Sequence, residues 1–166
     1  MTIQTTLEAI GNSSIGTYMA ENPAAFPWTE SVHVMATTLV IGSILIVDLR
    51  LIGVASTSYP ISRLTKALLP LTWIAFAIAL ITGSLLFTSQ PVTYYGNFAF
   101  RMKMALLLAA GFNMLVFHLL TMRGIALWDR DAPVPAAARI AGLLSIGIWV
   151  LVVIFGRWIG FTTAPF

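Results

Sequence analysis

The sequence predicts an all-α integral membrane protein: an up-down-up-down four-helix bundle, preceded by a short N-terminal amphipathic helix at the membrane interface. Three observations predict it. Only 9% of the 166 residues are charged and the mean hydropathy is +0.91, whereas a soluble domain carries about 25% charged residues to wet its surface. Four apolar stretches each reach the roughly 20 residues needed to cross about 30 Å of hydrocarbon. The breaks between them are short, which forces neighbouring helices antiparallel. In hydrocarbon each backbone polar group needs an internal partner, and an isolated span meets that need only as a helix.

The chain divides into an N-terminal interfacial segment, residues 1–27, and the bundle, residues 28–166. In the first segment Thr5 and Glu8 have the spacing of a capping box, which starts a helix by satisfying its first backbone donors. Ile3, Leu7, Ile10 and Tyr18 then share one side, and Pro23 and Pro27 end the segment. The spans follow at about Ser31–Gly53, Leu69–Thr88, Phe98–Met122 and Ala138–Phe161, with Pro70 at the start of the second. Between them stand Ser56 to Pro60, Ser89 to Pro91, and Asp129 to Pro135.

Composition narrows the chemistry. There are no cysteines, so disulfides and thiolate-held zinc or iron–sulfur centres are excluded. A net charge of +3 from scattered basic residues does not make a nucleic-acid surface. No Ser sits in a recognisable nucleophile setting with His, so hydrolysis is not expected. Arg50, Arg63, Lys66, Arg123, Arg130 and Arg139 gather on one side of the membrane, against Arg101, Lys103 and Arg157 on the other. The richer side is expected to be cytoplasmic, which puts both termini in the periplasm of a bacterial inner membrane. Trp28, Tyr94, Tyr95 and Trp158 would form the outer aromatic belt and Trp128 part of the inner one.

Ionisable groups inside spans are costly and default to a functional reading. Glu30, His33 and Asp48 belong to the first span, Lys103, Asn113 and His118 to the third, and Arg157 to the fourth. At about 100° per residue, Glu30, His33, Thr37 and Asp48 share one stripe of span one. Lys103, Met114, His118 and Thr121 share one on span three, with Gly111 and Asn113 at its edges. The two stripes are expected to face each other. Span four offers Gly142, Ser145, Trp149, Gly156 and Gly160 on one face, small enough for close helix approach and suited to an oligomer contact.

Depth separates two layers. Lys103 and His118 are fifteen residues apart, about 22 Å along a helix, while the two axial nitrogens on one iron lie about 4 Å apart. His33 and His118 therefore cannot ligate one haem within an alternating bundle. Either there are two sites, one His is structural, or a ligand crosses between subunits. The bland reading makes each His a hydrogen bond between helices, pairs Asp48 with Arg50 and His118, and lets Lys103 and Arg157 snorkel.

Particular strings carry a resemblance. Glu30-Ser-Val-His33, Asp48-Leu-Arg50-Leu-Ile-Gly53, Thr82-Gly83-Ser-Leu-Leu-Phe87, Asn97 to Lys103, Asn113 to His118 and Gly156 to Gly160 resemble an uncharacterised family of bacterial four-span membrane proteins. More loosely, a His opening span one and a Lys then a His on span three look like the small membrane protoporphyrinogen oxidases. The copper-resistance membrane proteins of the D type show a similar layout. The oxidase resemblance implies a haem-ligand role for His33 and a site role for Lys103. Span one departs from the oxidases in ending Asp48-Leu-Arg50, so their activity is not carried over.

The expected function is that of a b-type cytochrome-like protein in electron transfer, with haem b as cofactor. His33 and His118 would be metal ligands, Glu30 would orient the first or meet a propionate, and Lys103 and Arg157 would meet propionates. Asp48 and Asn113 would form a supporting polar network. The alternatives are transport of copper or a small solute through a polar path, or a non-catalytic anchor subunit. Expected partners are the lipid bilayer and either further copies of the chain or a larger membrane redox complex, with no nucleic acid.

Overall fold

The computed structural model describes residues 2–129 and 133–163. Arg130, counted above among the cytoplasmic cations, lies outside the described residues, as do Asp131 and Ala132 of the last break. The elements are α1 (Ile3–Gly11), α2 (Ser14–Glu21), α3 (Ala25–Ile52), α4 (Ile61–Ser89), α5 (Pro91–Gly96), α6 (Phe98–Val116) and α7 (Ala136–Thr163). Helix α6 runs on through a π-helical turn, Phe117–Thr121, and a 3-10 turn, Met122–Leu127. Four of these helices are long and apolar enough to cross a membrane, so the chain is a multi-pass, all-α membrane bundle.

The spanning helices outrun the apolar stretches. Helix α3 has 28 residues, about 42 Å at 1.5 Å per residue, so its ends pass beyond the hydrocarbon. Pro27 does not end the N-terminal segment: it lies in the first turn of α3, where a missing N–H leaves no bond unmade. Pro70 is inside α4 rather than at its start, because the helix begins nine residues earlier at Ile61. At the far end of α3, Gly53 takes φ 82°, the left-handed cap that glycine adopts without a Cβ clash.

Two short helices replace the one expected at the N-terminus. Thr2, not Thr5, caps α1, its hydroxyl accepting from Thr5 N, and Ser13 caps α2 by accepting from Gly16 N at 3.1 Å. A Cβ on Gly16 would stand 2.6 Å from the Ile10 carbonyl oxygen, so only glycine lets the chain turn this tightly between them. Leu7 and Met19 are buried while Ile3 and Tyr18 are exposed. Helix α1 packs on α5 and α2 on α4, covering what is here called the capped end of the bundle.

The packing order is α4–α3–α7–α6. Helix α3 packs most extensively on α4, α6 packs on α7, and α7 also packs on α3. The backbones of α3 and α6 scarcely approach each other, and neither do those of α4 and α6. The polar stripes of spans one and three therefore do not pack directly on one another; α7 stands against both. Its glycines permit this. A Cβ on Gly142 would lie 3.3 Å from Leu51 and Ile52 of α3, and one on Gly156 3.6 Å from Lys103 Nζ of α6. The small-residue face is thus spent largely within the chain.

The opposite end is latched. Leu51, Ile61, Phe117, Trp128 and Ala138 form a buried cluster there. Trp128 is 6% exposed and belongs to this core rather than to an aromatic belt, because the 3-10 turn carries it inward. Asp129 reaches back to α4, accepting from Ser62 N at 2.8 Å and from Ser62 Oγ at 2.6 Å. It thereby satisfies a first-turn donor that Pro60 has no side chain to cap. Arg50 donates from Nε to the Tyr59 carbonyl at 2.8 Å and from Nη2 to the Asp129 carbonyl at 3.4 Å.

Candidate functional site

The polar residues of the spans fall into a group toward the capped end and a group toward the latched end. In the first, His33 turns toward α4. Its Nδ1 lies 3.0 Å from the Ala79 carbonyl oxygen and 3.1 Å from Thr82 Oγ1. A carbonyl only accepts, so this geometry assigns the proton to Nδ1 and leaves Nε2 as a bare lone pair. The Thr82 hydroxyl donates to Ile78 O at 2.7 Å and is free to accept the same N–H. Gly83 completes the seat: a Cβ there would stand 3.0 Å from His33 Cε1, so any other residue forces the ring to give by a few tenths of an ångström.

Lys103 approaches from α6. Its stem lies along Gly156, with Nζ, Cδ and Cε all within 3.7 Å of where a Cβ would be, and its ammonium is close enough to act electrostatically on His33. No acidic group is seen hydrogen-bonded to that ammonium among the described residues. Beside this pair, Phe87 of α4 stacks on Phe100 of α6 at 5.4 Å, with Tyr94 of α5 at 5.7 Å from Phe100. These rings bridge the seam that the α4 and α6 backbones leave. Burial pushes the Tyr94 phenol above its ordinary range and nearby Glu30 adds to this, against a hydrogen bond with Ser89.

Glu30 and Arg157 are both exposed. Arg157 lies over the Phe161 ring at 5.1 Å, a cation–π contact on its own helix. Neither is drawn into the His33–Lys103 group. Thr37 donates to its own helix, to His33 O at 2.9 Å.

At the latched end the Asp48–Arg50–His118 pairing of the bland reading is not formed. Arg50 is committed to the two loop carbonyls. Asp48 is buried against α7, where Ser145 hydrogen-bonds its carboxyl and Oδ2 has no partner. Asn113 donates to the Ala141 carbonyl at 3.0 Å, pinning α6 to α7 without touching Asp48. The supporting network is therefore two separate contacts on α7. His118 sits in the π-helical turn, its Nδ1 3.0 Å from the Met114 carbonyl oxygen, which again leaves Nε2 free. π-turns of this kind recur at functional sites.

Among the described residues no three His, Cys, Asp or Glu side chains come together to hold a metal ion. The arrangement therefore offers two separate imidazoles, each with its Nδ1–H fixed by a backbone carbonyl and its Nε2 available as a single axial-type donor. The seat residues Ala79, Thr82 and Gly83 carry no chemical signature of their own. Thr82-Gly83 stands out only as a string, and its role depends on the register of α3 against α4.

A family of unknown function (DUF6644) matches residues 5–162, and the chain belongs to it. No curated protein and no solved structure matches.

Proposed function

For this member of a family without an assigned activity, we propose a b-type cytochrome-like function: haem binding and electron transfer in the bacterial inner membrane, with both termini periplasmic. The observation that carries the reading is the oriented tautomer of His33. A ligating His characteristically gives its second N–H to a carbonyl, which fixes the ring and raises the basicity of the donor nitrogen. His33 makes that bond to Ala79 O across two helices. Lys103 supports the same reading, because a half-buried ammonium with no carboxylate partner among the described residues suits a haem propionate. The bound group would supply one-electron chemistry, while the chain holds the ligand ring, neutralises the propionate and keeps water away with Phe87, Tyr94 and Phe100. His118 is the candidate ligand of a second centre.

Purified protein in mild detergent, oxidised and then dithionite-reduced, should show a Soret band with sharpened α and β bands. A protein that stays colourless after haem is supplied during expression ends this reading. Haem per chain then counts the sites. The copper alternative reads Glu30, His33, Asp48 and His118 as a polar path with sites at both ends, and no observation favours it over haem.

A further inference from the structure

A lipid-facing slot of about 230 Å³ opens between α3 and α7, walled by Ile41, Ile44, Leu45, Trp149, Val150 and Val153, with Asp48 at one end. Leu45, Val150 and Val153 are more than a third exposed, so the slot opens sideways toward the acyl chains. Beyond Asp48 it closes, because Gly142 lets α7 press onto α3 to the point where a Cβ would be 3.3 Å from the Asp48 carbonyl oxygen. Asp48 itself is 6% exposed, and its Oδ2 has no hydrogen-bond partner. A buried acceptor left unmade is costly, more so when charged, and such groups in native structures call for an explanation.

We propose that this slot is a binding site for a lipid-soluble hydroquinone, whose ring hydroxyl donates to Asp48 Oδ2. The walls select the class of ligand. Besides Asp48 their side chains offer no oxygen, and the one nitrogen, Nε1 of Trp149, is a donor only, whereas calcium or magnesium needs about six oxygen ligands and a buried water needs 2–4 polar partners. The occupant must bring its own donor, be apolar elsewhere, and arrive through the lipid. A cavity of about 150 Å³ accepts benzene, so this larger one suits a substituted or fused ring lying against the Trp149 indole. From Asp48 to Ile41 is seven residues, about 10 Å along α3. That places the polar anchor near the membrane surface and the apolar remainder toward the midplane, the arrangement of an amphiphile with a ring head and an isoprenoid tail. Only binding is proposed, and it does not depend on the haem reading.

The test uses the full chain in nanodiscs of defined phosphatidylcholine, anaerobically, with radiolabelled tetramethylhydroquinone and its dimethyl ether, and subtracts binding to empty discs. The two probes share a ring, but only the first is a donor. The hydroquinone should bind saturably and at least about threefold more tightly than the ether, the size expected of one net hydrogen bond. Asp48→Leu should reduce the hydroquinone to the level of the ether. Equal binding of the two probes by the unaltered chain, or binding no greater than to empty discs, overturns the proposal. That comparison needs no variant to fold.

Discussion

The loop latch at one end of the bundle and the His33 seat at the other both place polar side chains against apolar helices, and they use them in opposite ways. At the latched end, Arg50, Ser62 and Asp129 spend their donors and acceptors on one another and on loop backbone, over a core of Leu51, Ile61, Phe117 and Trp128. At the capped end, His33 is held by one nitrogen only and Lys103 is enclosed without a hydrogen-bonded acid. A satisfied group stabilises the fold; a group that is positioned but unsatisfied has capacity left for a ligand. The difference separates structural from functional polarity more sharply than residue type does.

The comparison can be broken by substitution. The largest effect is expected from His33→Ala, which should abolish the absorbance of the haem centre at the capped end, while Asp129→Asn leaves the spectrum intact. Retention of full haem content in His33→Ala would remove the assignment. Gly83→Val should come next, because its Cβ enters the space of His33 Cε1. It should displace the ring, alter or remove the spectrum, and lower stability by about 1–3 kcal/mol from overpacking. An unchanged spectrum would mean that the seat on α4 does not orient the ligand.

Asp129→Ala should cost about 1 kcal/mol of stability by leaving Ser62 without its acceptor, read as a lower melting temperature in detergent. A pH dependence accompanies it. Desolvation alone would raise the Asp129 pKa, but hydrogen bonds from Ser62, that of Ile61 and the charge of Arg50 outweigh it and hold the pKa below its ordinary value. A depressed carboxylate pKa means that the folded state resists protonation, so its stabilisation is present above about pH 4 and is lost as the pH falls further. The alanine variant should lack this acid-dependent component in melts recorded across that range. Asn113→Leu is the smallest: a single interhelical hydrogen bond in a membrane averages about 0.6 kcal/mol, so α6 should loosen from α7 with little change in overall melting.

Much of the scaffold was legible in the residues. Apolar length located the four spans because hydrocarbon thickness sets a minimum that few other structures demand. Helix ends were less legible, since α3 and α4 begin well before the apolar stretch and include Pro27 and Pro70. The wheel placed His33 and Asp48 on one stripe of α3, yet α4 receives His33 and α7 receives Asp48. Periodicity gives the direction of a side chain about its own axis; it does not say which neighbour stands there. Gly83, Ala79 and Thr82 were invisible as site residues for the same reason.

The sequence by itself determined that this is a membrane bundle, which side chains interrupt its apolar spans, and that its two histidines lie too far apart in depth for one iron. Those conclusions follow from local quantities: transfer cost, rise per residue and turn. The packing order α4–α3–α7–α6, the seat of His33 on Gly83, the commitment of Arg50 to the loop and the orphaned oxygen of Asp48 were decided only by the tertiary structure. Each depends on how two helices are rotated and shifted against one another, and small residues such as Gly142 and Gly156 set that by allowing backbones to approach where larger side chains would hold them apart.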